Sequence, residues 1–121
     1  MRRLVLAAVL LLAASPALAG PLAGDPAHGE KLYGSRCAFC HALDRNKIGP
    51  RHRGVFGRPV AAVPDFRYSK ALAGKSFVWD AANLDAWLAD PKRFVSGTSM
   101  GARTPSAQDR ADLIAYLRAH P

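Results

Sequence analysis

The sequence predicts an all-α chain of about four to five short helices joined by long loops. Three observations carry that reading. Capping residues precede several stretches of helical apolar spacing, period-two strand patterning is nearly absent, and two long segments are punctuated by glycine and proline. With 121 residues, 50% of them hydrophobic, the chain suffices for one ordinary domain and is too apolar to be disordered.

The start of the chain reads as an export signal rather than as part of the fold. Met1-Arg2-Arg3 is basic, Leu4–Ala14 is unbroken Leu, Val and Ala, and Ser15-Pro16 ends any helix. Ala17-Leu18-Ala19 then offers small residues where a signal peptidase cuts. Eleven apolar residues make about 16 Å of helix, against about 30 Å for a membrane core, so stable membrane insertion is not expected. Cleavage after Ala19 leaves residues 20–121 as a single domain with fifteen basic and nine acidic side chains. The formal charge of +8 on the whole chain would otherwise raise nucleic acid as a partner, but an exported protein works away from the genome.

Asp25-Pro26 opens the first helix, a cap followed by a proline suited to the first turn, and the helix runs over 25–38 with Tyr33 and Cys37 on its inner face. Residues 42–68, with Gly49, Pro50, Gly54, Gly57, Pro59 and Pro64, form a long irregular loop. A loop of that length needs something to wrap around. A short helix over Ser69–Ala73 ends at Gly74. Asp80 caps another that runs to about Ala89, with Leu84, Trp87 and Leu88 inward, and Asp90-Pro91 stops it. A second loop spans Ser96–Pro105. Ser106 caps the last helix, Asp109 lies in its first turn, and Leu113, Ile114 and Leu117 form its buried stripe beside Tyr116. So much loop in so small a domain calls for an added apolar body to complete the core.

Cys37-Ala38-Phe39-Cys40-His41 names that body. Two thiols three apart can add to the two vinyl groups of one porphyrin, and the adjacent histidine then gives the iron a proximal nitrogen. The rival readings each lack a partner. A lone disulfide leaves the loops without a core, a thioredoxin-like pair needs a βαβ pattern, and a zinc site needs further ligands at paired spacing. His28, His52 and His120 show no such spacing. Met100, in the glycine-bounded stretch Ser96–Gly101, is the sixth-ligand candidate, with His52 its competitor.

Together these residues resemble class I cytochrome c of the mitochondrial and small bacterial periplasmic type. The ordered motifs are Cys37–His41, Gly49-Pro50, Gly54–Arg58, Phe66-Arg67-Tyr68, Trp79, Asn83–Pro91, Gly97–Met100 and Asp112–Leu117. The resemblance implies the cytochrome c fold, loops wrapped around one haem c attached through Cys37 and Cys40, with His41 and Met100 as axial ligands. It further implies that the Pro50 carbonyl accepts the His41 ring N–H, that Arg58, Tyr68 and Trp79 hold one buried propionate, and that Thr98 serves the other. Gly29 and Tyr116 match the close crossing of first and last helices. Leu72, Trp87 and Ala102 depart from the family's usual polar, tyrosine and aromatic residues around the methionine and the propionates.

The function the resemblance implies is a monomeric periplasmic carrier of single electrons, not an enzyme. Its partners would be redox proteins with acidic docking patches: a quinol-oxidising complex or dehydrogenase on one side, an oxidase, peroxidase or photosynthetic centre on the other. Lys31, Arg36, Lys47, Lys92, Arg93 and Arg103 match the family's basic residues around the haem edge. The altered surroundings at Trp87 and Ala102 motivate the alternative, a haem sensor or peroxidase-like protein with a labile sixth ligand.

Overall fold

The computed structural model of the chain describes residues 22–121, with positions 13 and 15. The expected export signal and its cleavage point after Ala19 lie outside the described residues. Five helices follow in order: α1 (Pro26–Arg36), α2 (Lys70–Ala73), α3 (Ala81–Ala89), α4 (Pro91–Phe94) and α5 (Ala107–Arg118). No helix among the described residues is long and apolar enough to cross a membrane.

Local chemistry sets the helix starts. The side chains of Asp25, Ser69, Asp80 and Ser106 each accept a hydrogen bond from a backbone N–H of the first turn they precede, at 2.8–3.2 Å. The expected stop at Asp90-Pro91 is also a start. Asp90 donates its N–H to Ala86 at the end of α3, while its carboxylate accepts from Arg93 N at 3.2 Å and Pro91 opens α4. Proline has no amide hydrogen to leave unpaired at a first helical position, so it ends one helix and begins the next.

The long loop 42–68 is better ordered than its composition suggests. Its segment around Gly57–Val60 runs antiparallel to Phe77–Trp79, with Val60 N to Phe77 O, Trp79 N to Arg58 O and Gly57 N to Trp79 O at 2.8–2.9 Å. Only the Pro59–Val78 pair counts as a β-bridge, and no named strand occurs among the described residues.

The crossing of α1 and α5 is the main helix–helix contact, and Gly29 makes it possible. A Cβ on Gly29 would overlap the Asp112 carbonyl oxygen of α5. Leu113, Tyr116 and Leu117 are buried as expected, whereas Ile114 is only partly buried. Asp112 is the residue that apolar spacing misses. It is 2% exposed on the inner face of α5, and its carboxylate accepts from Asp25 N (2.7 Å) and Gln108 Nε2 (2.9 Å) and pairs with His28 Nδ1 (2.6 Å). These bonds satisfy a carboxylate that would be costly to bury alone. The clasp thus ties the cap of α1 to the middle of α5.

Those donors, the Asp25 amide first and His28 and Gln108 after it, hold the Asp112 carboxyl down from its ordinary 3.8 to about 2. A depressed carboxylate stabilises the fold fully above its unfolded value and loses that contribution as pH falls through the folded one. Denaturant unfolding of the holoprotein should therefore show stability falling as pH drops from the ordinary carboxylate range toward about 2. Asp112→Asn should be less stable at neutral pH and flatter over that window; equal slopes would remove the clasp from the account.

Candidate haem site

The site begins where α1 runs out. Cys37 caps α1 through its N–H to Tyr33 O (2.9 Å), and the chain then makes one further turn, with Cys40 N and His41 N both donating to Cys37 O at 3.1 and 2.8 Å. The expected helix over 25–38 is therefore an α-helix to Arg36 followed by this turn. No disulfide joins the two cysteines, and both are partly buried. Burial is the main reason that the Cys37 thiol is pushed up to about 11, opposed by Arg36.

The loop 47–50 is fastened to this turn. Gly49 N donates to Cys40 O at 2.8 Å, and the Lys47 ammonium donates to Ala38 O. Pro50 presents its carbonyl to His41 Nδ1 at 2.9 Å. Since a carbonyl only accepts, Nδ1 carries the hydrogen and Nε2 keeps its lone pair. Burial lowers His41 from its ordinary value and so favours the neutral ring, a shift that the Pro50 bond partly offsets. Gly49 must be glycine here, because a Cβ would overlap the His41 ring at Cε1, Nδ1 and Nε2.

His52 stacks on His41, ring centroids 4.0 Å apart and planes within 18°, with its Nδ1 sharing a hydrogen bond with the Tyr33 hydroxyl at 3.0 Å. If His41 holds the iron, a ring stacked on it stands on the same side and would not reach the opposite position, which weighs against His52 as the sixth ligand. Burial, then the neighbouring His41 and Arg58, hold His52 well below an ordinary imidazole, so it is neutral.

One cavity of about 360 Å³ gathers the expected residues. Cys37, Cys40, His41, Pro50, Arg58, Tyr68, Trp79, Thr98 and Met100 all line it, although they come from four separate stretches of chain. Met100 is half-buried and Thr98 is 5% exposed. Arg58 donates to the carbonyls of Arg51 and Arg53 at 2.7–3.2 Å, so backbone contacts fix its guanidinium at the cavity wall. Tyr68 accepts from Val63 N at 3.1 Å, which leaves its hydroxyl hydrogen available. Trp79 is buried between Phe77 and Trp87, at 4.8 and 5.3 Å.

Leu72, Leu84, Leu88, Leu113 and Leu117 close the cavity with apolar surface. The three departures, Leu72, Trp87 and Ala102, also line it. Sequence reasoning found Tyr33 by its inward register and missed His52 as a wall, for a histidine in an irregular loop carries no periodic signal. The donor set fits a haem: two thiols on one turn, an imidazole with its free nitrogen available, a thioether, apolar walls, and hydroxyl and guanidinium groups at one margin. The space also falls within the roughly 300–1,000 Å³ of small-molecule and cofactor sites.

Residues 26–121 match the cytochrome c family. Cytochrome c of Sesamum indicum is 39% identical over 101 residues, spanning 78% of this chain and 89% of that protein. The cytochrome c-type cyt cy of Rhodobacter capsulatus is 40% identical over 102 residues, spanning 83% of this chain and 51% of that protein. Among solved structures, cytochrome cH from Methylobacterium extorquens superposes with a TM-score of 0.76 at 38% identity, over 79% of this chain and 99% of that one. The chain belongs to the class I cytochromes c, electron carriers with one covalently attached haem c.

Proposed function

We propose that this cytochrome is an exported, periplasmic carrier that passes single electrons between redox proteins of a respiratory or photosynthetic chain. The observation that carries the reading is the meeting, in one cavity, of Cys37, Cys40, His41 and Met100, with the His41 ring already fixed by Pro50. The haem supplies a one-electron iron couple. Cys37 and Cys40 would hold it by thioethers, His41 Nε2 would offer its iron a nitrogen and Met100 a thioether sulfur, a ligand that raises the potential. Arg58, Tyr68 and Trp79 serve one propionate and Thr98 the other, through donors that offset the cost of a carboxylate out of water. With the chain filling both axial positions, no place remains for a substrate.

The basic residues support a docking role. Lys31, Arg36, Lys47, Lys92, Arg93 and Arg103 are all exposed. Arg36 lines the cavity, Lys47 reaches the attachment turn, and the Lys92 side chain passes next to Gly101. Two large apolar side chains are also exposed, Phe39 (82%) on the turn and Ile48 (70%) beside Lys47 on the loop fastened to it. Exposed apolar side chains next to a lysine suit brief encounters with a carboxylate-bearing redox partner, while Arg36 and Arg103 are already paired with Asp109 and Asp90 at 3.0 and 2.9 Å. A peroxidase-like or sensor reading draws on the half-buried Met100 beside the exposed Ala102. Rapid carbon monoxide binding by the ferrous protein would favour it over the carrier.

Replacing Met100 with alanine should lower the potential by on the order of a tenth of a volt, a fraction of the roughly 0.8 V that axial ligands span, and should let carbon monoxide bind. An unchanged midpoint in a redox titration would remove Met100 from the ligand set. In stopped-flow electron transfer to an acidic redox protein, Lys47→Glu should slow the reaction at low salt and converge on the parent rate at high salt. Phe39→Ala should weaken association at both salts, by about tenfold if it acts as a buried anchor worth ~1.4 kcal/mol.

A further inference from the structure

We infer that His52, held by Tyr33, is a positioning residue that fixes the rotation of the His41 imidazole about its iron-binding axis. The inference rests on the reading of His41 as a ligand. An imidazole bound through one nitrogen can turn about that bond, and the direction of its plane decides which iron d orbital meets its π system. What surrounds a metal-bound histidine therefore reaches the metal's electronic state.

The structure holds this ring in three ways. Pro50 O takes Nδ1 at 2.9 Å, which pins one corner but leaves the plane free to rock, since carbonyl acceptors tolerate a broad range of directions. A Cβ on Gly49 would strike the ring at Cε1, Nδ1 and Nε2, so the glycine backbone lies directly against it. The His52 ring stacks on a face of His41 at 4.0 Å and 18°, and His41 cannot turn without pushing it aside.

His52 has little room to yield. Its backbone N–H donates to Ala42 O at 2.9 Å, and its Nδ1 is tied to the Tyr33 hydroxyl at 3.0 Å. Tyr33 is 6% exposed and packs against Tyr116 of α5 at 5.1 Å between ring centroids. The setting of His41 is therefore linked, residue by residue, to the α1–α5 crossing. An alkyl side chain could also fill the space beside His41, but without a plane to register against it. A buried polar pair costs more than an apolar one unless it is satisfied, and here the two polar groups satisfy each other.

The test uses ferric holoprotein, reading the haem-methyl NMR shifts and the EPR anisotropy, which report ligand-plane orientation, beside the melting temperature. His52→Leu should reorder or change the spread of the haem-methyl resonances, while the shifted resonances of the Met100 side chain persist. His52→Phe, which keeps a ring in the stack, should return the pattern toward the parent. Tyr33→Phe, which frees the His52 ring, should shift it in the direction of His52→Leu, and it carries the test alone if His52→Leu does not accumulate. A parent pattern in both His52→Leu and Tyr33→Phe, even with a lowered melting temperature, would reduce the pair to packing and overturn the inference. A parent protein with no low-spin, methionine-ligated spectrum at all would instead overturn the ligand assignment beneath it.

Discussion

Everything in this fold answers to one constraint: the chain has to close its core around a flat apolar group that the polypeptide does not supply. Five short helices and two long loops leave a cavity of about 360 Å³ where a protein of this size would otherwise place its central side chains. The leucines of α3 and α5 point their surface toward that space rather than filling it. A covalently attached haem turns this from a defect into a core, contributing apolar area at the centre that these short helices and long loops leave open.

Attachment and architecture meet at the end of α1. The same helix that crosses α5 over Gly29 delivers Cys37 at its last turn, and the following turn delivers Cys40 and His41. Geometry at the crossing is thus transmitted over a few residues to the groups proposed to hold the iron. The Asp112 clasp fixes one end of α1, the Tyr33–His52–His41 contacts fix the other, and Gly49 and Pro50 enclose the imidazole from the loop side. This rigidity suits electron transfer, because a ligand set that hardly moves between oxidation states adds little reorganisation to each step.

What the sequence discloses, and what it withholds, follows from the range of the interactions involved. Caps are local, so Asp25, Ser69, Asp80 and Ser106 announce their helices before any fold is known. The Cys37–His41 spacing is equally plain, since covalent chemistry on a rigid ring tolerates few alternatives. Pro91 misleads because one residue can end a helix and start another, and neighbouring letters do not say which. Asp112 and His52 are silent for a different reason. Each is polar at a position where only a distant partner makes burial acceptable, and those partners (Asp25 and His28 for one, Tyr33 for the other) arrive through tertiary contact. The irregular loop 42–68 shows the same limit, for its pairing with Phe77–Trp79 has no periodic signature to read.

The dependence of the fold on its attached group is open to direct measurement. Intact mass and thermal unfolding would be recorded together for the parent protein and for a Cys37→Ser/Cys40→Ser chain expressed alike. The parent should weigh one haem more than its polypeptide and melt cooperatively, while the double variant should lack the added mass and the transition. A parent chain at bare polypeptide mass, or a haem-free variant that still unfolds in one sharp step, would contradict the account.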